Sequence, residues 1–263
     1  MATPKLVILN EDKIKIAGLS LPLAARLFAD GAEAGADRLL LLALSLFVAY
    51  ALGAKFARAA ERPIGPGIIP YVLMFVVFLP SPVSLASAGV AICFGSIFGR
   101  EVFGGKPILP PALIALAFAL FSYPDGGYQI RHLMDQTPDP VFAAASLAGG
   151  AIYLWKGFLA WRVAAGALLG SLLGSQLMIG SISLEQPLLG AYVAGVLFLA
   201  ASTESAPRSE SARWLHGLLV GMLVMVIRTA DPDQPDGIVF AALLGCLFAP
   251  LMDRVMMWRP HRG

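Results

Sequence analysis

Charge is scarce in this chain. Only 19 Lys and Arg and 17 Asp and Glu occur in 263 residues, 14% of the total, beside a 58% apolar content and a mean hydropathy of +0.76. Soluble globular domains carry roughly 25% charged residues. The composition therefore excludes that class and specifies an integral membrane protein. The net charge of +2 comes with no basic block and no aromatic-basic ladder, which excludes nucleic acid as a partner. Cysteine and histidine are rarer still, at two and three. Cys93 and Cys246 sit in separate apolar runs without CxxC or Cys/His spacing, so they read as small buried side chains and not as a metal or redox pair. His132 and His216 are isolated, and no Walker loop, Ser–His–acid set or metal-ligand cluster is discernible. Nothing in the N-terminal stretch resembles a cleavable signal peptide, and the first transmembrane helix is expected to direct insertion.

What is abundant is apolar sequence cut into pieces by 27 glycines and 19 prolines. Residues 1–37 read as an N-terminal tail and interfacial segment. Within it, Lys5–Asn10 and Lys13–Ala17 alternate in the manner of a short hairpin or extended tail, and Leu19–Ala29 is too short to span a bilayer. Residues 38–263 read as one transmembrane domain. Its expected spans are Leu39–Ala54, Gly67–Leu79, Val83–Phe98, Pro111–Tyr123, Pro140–Leu154, Phe158–Ile179, Pro187–Ala201, Trp214–Ile227 and Gly237–Met252. That is about nine, or ten if Leu19–Ala29 also dips through, and several fall short of the roughly 20 residues a full crossing needs. The expected fold is an all-α polytopic membrane helix bundle with broken or half helices, built from two repeats at about 38–139 and 140–263.

Lys and Arg concentrate in the loops at 55–66, 99–106, 156–162 and 204–213 and in the tail at 254–262. The positive-inside rule makes that side, and the C-terminus, cytoplasmic. Arg162 is close enough to a span end to reach the interface, and Asp253 reads as a boundary charge. Trp155, Trp161, Trp214 and Trp258 sit near expected span ends, where an aromatic belt belongs. Gly166, Gly170 and Gly174 recur on one helix face and form a ridge that lets another backbone approach closely.

The chain is organised around Gly95–Pro124, GSIFGREVFGGKPILPPALIALAFALFSYP. One apolar segment ends at Phe98, Arg100-Glu101 and Gly104-Gly105-Lys106-Pro107 follow, and the next begins at Pro110-Pro111. Irregular backbone near a bilayer is tolerated only where protein or a wet cavity satisfies its polar groups, so the break marks a candidate site. Arg100 and Glu101 read either as an interfacial pair or as a phosphate-holding group, with Gly104, Gly105 and Lys106 at the adjoining turn. A weaker second copy runs from Arg228 through Asp231-Pro232-Asp233-Gln234-Pro235-Asp236-Gly237 to Pro250. Asp231 and Asp236 are a candidate ion path there, or a solvated turn with Asp236 capping the last helix.

Both passages resemble the NqrB/RnfD family, the membrane subunits of the sodium-pumping NADH:quinone oxidoreductase and of the Rnf complex. IFGREVFGGKPILPPALIALAFALFSYP is similar to that family's F-G-K-E-x-F-G-G passage, its Asn-Pro-Ala turn and the helix ending in Tyr-Pro. IRTADPDQPDGIVFAALLGCLFAPLMD is similar to its closing passage, Arg, Tyr-Pro-Glu-Gly, a helix and Phe-Ala-Pro-Leu-Ile-Asp. Two departures matter. Pro110 stands where the family has asparagine. The family's flavin-bearing members attach FMN to a threonine in a segment like D-x-x-S-G-A-T, and here the ungapped position is Ala145, which has no hydroxyl; Ser146 lies one residue away and Thr137 precedes Asp139.

The resemblance implies a membrane component of an Rnf/Nqr-like electron-transfer complex in the bacterial inner membrane, not an independent enzyme. Expected partners are other membrane subunits, a flavoprotein, an iron–sulfur protein and the lipid bilayer. The implied cofactor is a non-covalent flavin, FMN or riboflavin, or a quinone, with Ser146 beside Arg100 and its neighbours among the cofactor-binding candidates. Coupled ion translocation is part of the same expectation. The alternatives are a small-solute or ion channel of urea-channel-like architecture and a cofactor-free assembly subunit.

Overall fold

Large apolar side chains on the outside and small ones on the inside are the pattern of a helix that faces lipid, and the first helix shows it. A computed structural model describes residues 8–79, 84–104, 109–122, 140–181, 190–230 and 237–257, and among them the regular elements are helices, with an isolated β-bridge joining Leu159 and Ser202. Among the described residues five helices are long and apolar enough to cross a membrane, and four shorter apolar helices accompany them. The chain is a multi-pass membrane protein. It divides into two compact units, one comprising residues 1–133 with 144–153, the other 134–143 with 154–263.

In the first unit, helix α1 (Asn10–Ala59) turns at Gly31, whose φ of 74° favours a residue without a Cβ. The stretch Lys13–Ala17 is helical and not a hairpin. Its alternation is outweighed by burial of Gly18, Leu19, Pro22, Leu23 and Ala25 at helical spacing, and the Asp12 carboxylate accepts the Leu9 N–H at 3.0 Å where the helix begins. After Gly31 the buried stripe is Arg38, Leu41, Ser45, Ala49, Gly53 and Ala57, while Leu39, Leu40 and Phe47 are exposed.

Helix α2 (Ile68–Phe78) is buried on nearly every side. Its 11 residues rise about 16 Å, half the roughly 30 Å of a hydrocarbon core. Its ends therefore need partners from within the protein. Arg38, fully enclosed, supplies them at one end: Nη1 donates to the carbonyls of Val76 at 2.9 Å and Leu79 at 3.0 Å, and Nε pairs with Asp30. Helix α3 (Leu85–Gly99) then packs on α4 (Pro111–Ser122) through Gly95 and Gly99. A Cβ on Gly95 would lie 2.5 Å from the Pro111 carbonyl, and one on Gly99 would lie 2.7 Å from Pro111 Cα. Phe94 stacks on Phe118 at 4.3 Å between centroids in the same seam. Residues 144–153 of α5 (Pro140–Trp155) complete this unit, with Tyr153 filling the space over Gly18 and donating to the Lys15 carbonyl at 3.1 Å.

In the second unit, α6 (Trp161–Ile179) lies against α8 (Glu210–Ala230). Across this contact Gly166 meets Gly217, Gly170 lies on Leu218 and Gly174 on Met225, while Gly221 faces Ala167 and Ser171. Between the two helices in sequence lies α7 (Gly190–Ala194), which continues as a π-helical turn over Gly195–Ala200. Residues 158–160 are extended where a helix is expected, because Ala160 N–H donates to Ala201 at 2.8 Å and Thr203 N–H to Phe158 at 3.0 Å, tying two loops together. The last helix, α9 (Gly237–Met257), runs beside α8.

The glycine seam makes a sharp expectation. A methyl at Gly221 would meet the Ala167 carbonyl and would lie 2.7 Å from Ser171 N, so Gly221→Ala should cost about 1–3 kcal/mol. Gly89→Ala, with nothing within 4 Å of the new methyl, should change stability by less than about 0.5 kcal/mol. Thermal unfolding in detergent measures both, and equal effects would show that the seam is not close-packed.

Candidate functional site

The break after α3 places a buried charge cluster at the loop that leads into α2. Glu101 opens a single 3₁₀ turn (Glu101–Phe103), and both it and Arg100 are turned inward, 6% and 2% exposed. Arg62, 39 residues earlier, donates Nη2 to Glu101 Oε2 at 2.5 Å. Arg100 Nε lies 3.4 Å from Glu101 Oε1, and its Nη2 donates to the Gly65 carbonyl at 2.5 Å. Room for this arrangement comes from Gly53 on α1, over which Ile64, Ile68 and Glu101 converge.

A buried hydroxyl pair, Tyr71 and Ser96, lies 2.5 Å apart near the same end of α2. Ser96 has one proton and spends it on the Ile92 carbonyl at 2.6 Å, so Tyr71 is the donor to Ser96. Arg62 Nε and Arg100 Nε are buried N–H donors with no hydrogen-bond partner among the described residues. Arginine presents its donors in a planar fork suited to phosphate and carboxylate oxygens, and two unfilled donors are what an incoming oxygen acceptor requires.

The expected site residues fare differently. Arg100 and Glu101 come together as one ion pair with Arg62 added, and neither reaches out to the interface. Gly104 is exposed at φ 72°, and its N–H closes the turn onto the Glu101 carbonyl at 3.1 Å instead of facing an anion. Ser146 is fully buried on α5 on the face shared by Phe142, Gly149 and Tyr153, and its hydroxyl is unpartnered among the described residues. Gly105, Lys106, Asp231 and Asp236 lie outside the described residues, as do Thr137 and Asp139.

Asp253 is more than a boundary charge. Its two oxygens accept the N–H groups of Arg208 at 2.9 Å and Ser209 at 2.8 Å, fixing the start of α8. Sequence reasoning missed Arg62, Gly65, Tyr71 and Ser96. Arg62 registered only as one of several loop cations, and nothing along the chain signals that it meets Glu101.

The model of the NQR2, RnfD, RnfE family matches residues 133–261. A Na(+)-translocating NADH-quinone reductase subunit of Pseudomonas paraeruginosa is 29% identical, over 77% of this chain and 62% of its own length. The proteins of the same name from Azotobacter vinelandii and Haemophilus influenzae are 30% and 27% identical with the same coverage. The chain thus spans 62% of the length of the curated relatives it matches.

Replacing Glu101 by Gln would leave the enclosed Arg100 and the partly exposed Arg62 without their counter-charge, at a cost of about 3–5 kcal/mol. Arg62→Gln should cost less, because the Arg62 side chain is 22% exposed and water shares its charge. Thermal unfolding of the two variants in detergent should show that order. The reverse order would mean that Glu101 is not the charge on which the cluster depends.

Proposed function

We propose that the chain is a member of the NQR2, RnfD, RnfE family and an integral membrane component of an Nqr/Rnf-like electron-transfer complex. The observation that carries this reading is likeness to Na(+)-translocating NADH-quinone reductase subunits across 77% of the chain, joined to five membrane-length helices. On this reading the chain acts with redox partners, a flavoprotein and an iron–sulfur protein, in a bacterial inner membrane, and its work is coupled to ion movement. It is not an independent enzyme.

The cofactor proposed is a non-covalent flavin or a quinone. When bound, such a group supplies one- and two-electron transfer, while the protein binds and orients it. The residues present fit an oxygen-rich group of this kind. Arg100 and Arg62 each keep a buried Nε–H for a phosphate or carbonyl oxygen, and the enclosed Ser146 hydroxyl lacks a partner among the described residues. They do not fit a phosphoester at the family's threonine position, because Ala145 has no hydroxyl there.

Two measurements test this. Acid precipitation of the purified complex should release flavin or quinone into the extract and leave this chain non-fluorescent on a denaturing gel, whereas a fluorescent band at its mass would refute the non-covalent reading. A C-terminal fusion should report a cytoplasmic C-terminus: fluorescent protein bright, alkaline phosphatase inactive. The opposite pair of signals would invert the proposed orientation.

A further inference from the structure

At one end of the second unit the two loops tied by residues 158–160 and 201–203 carry aromatic rings and cations together. Trp155 is 81% exposed, with the Lys156 ammonium 4.3 Å from its ring centroid. Trp161 is 49% exposed, with the Arg162 guanidinium 4.9 Å from its centroid, and its ring meets Trp214 edge-on at 5.7 Å.

Basic groups outnumber acidic ones at this rim. Lys156, Arg162, Arg208 and Arg213 stand over residues 155–162 and 201–214 beside Glu204, Glu210 and Asp253, the last of which accepts the Arg208 and Ser209 N–H groups. One contact uses part of that charge, Arg162 Nη2 to Glu210 Oε2 at 3.2 Å. Among the described residues Lys156 has no carboxylate partner. Beside the rim, Leu154, Leu168, Leu169 and Leu215 are exposed.

We propose that this rim is a binding surface for an anionic phospholipid, with the headgroup phosphodiester on Lys156 and Arg162 and an acyl chain along the exposed leucines. Three features carry it. Indole rings favour the headgroup level, where one edge is apolar and the other wet. Cations held over those rings sit where a phosphate oxygen can complete their hydrogen bonds, and basic groups at the cytoplasmic face draw anionic lipid. The leucines supply the apolar surface that an acyl chain needs and a soluble anion does not. The surface rests on the proposed orientation, with this rim at the cytoplasmic face, and it stands whether or not the proposed redox role does.

Tryptophan quenching by brominated lipid tests it. The full chain is reconstituted in phosphatidylcholine nanodiscs containing rising fractions of brominated phosphatidylglycerol or brominated phosphatidylcholine. Phosphatidylglycerol should quench at lower mole fraction, with a preference of about fivefold for each basic side chain engaged. Trp155→Phe should remove much of that difference, and Lys156→Gln with Arg162→Gln should bring the preference to one. Should the double variant fail to fold, Lys156→Gln alone should reduce it, since among the described residues Lys156 meets only the neighbouring Trp155 ring. Equal quenching by the two lipids, or a preference that survives loss of both cations, overturns the proposal. Absence of quenching by either lipid also overturns it and assigns the face to a protein neighbour.

Discussion

A helix end enclosed in apolar surroundings has carbonyls that water cannot reach, and leaving them unpaired costs several kilocalories per mole in hydrocarbon. The first unit is arranged around that constraint. Helix α2 is 11 residues long and buried nearly throughout, so its C-terminal carbonyls at Val76 and Leu79 are closed by Arg38. Arg38 in turn is a buried cation that needs a counter-charge, and Asp30, beside the Gly31 corner of α1, provides it. One half-length helix thus dictates the placement of a cation, a carboxylate and a bend.

The same logic governs the loop that leads into α2. Between the ends of α1 and α2, Arg100 reaches the Gly65 carbonyl while Arg62 and Arg100 share Glu101. Burying three charges is favourable only when they neutralise one another and their hydrogen bonds are filled. Two guanidinium donors stay without a hydrogen-bond partner among the described residues, and these are the groups that the proposed oxygen-bearing ligand would fill. In the second unit the constraint is van der Waals contact instead: α6 and α8 approach so closely that a Cβ on Gly170 or Gly217 would strike the facing backbone.

Composition and periodicity determined a good deal without coordinates. Scarcity of charge set the all-helical membrane class, and proline and glycine set most element boundaries to within a few residues, Pro111–Ser122 and Gly237–Met257 among them. The ridge at Gly166, Gly170 and Gly174 announced a close helix contact, because small residues at that spacing leave a groove that a second backbone can enter. The alternation at Lys13–Ala17 misled, since two or three alternating residues cannot outweigh burial at helical spacing further along.

What the sequence by itself determined is where most of the helices after residue 38 run, where they break, and that Arg100-Glu101 lies in a break. Only the tertiary structure decided that α1 starts at Asn10, that Arg100 and Glu101 turn inward to meet Arg62, that the ridge packs on Gly217, Leu218 and Met225, and that Asp253 fixes the start of α8. The physical reason is range. Helix and turn propensities act over a few neighbouring residues, whereas a charge or a missing methyl acts on whatever the fold carries within a few ångströms of it, and for Arg62 and Glu101 that neighbour is 39 residues away.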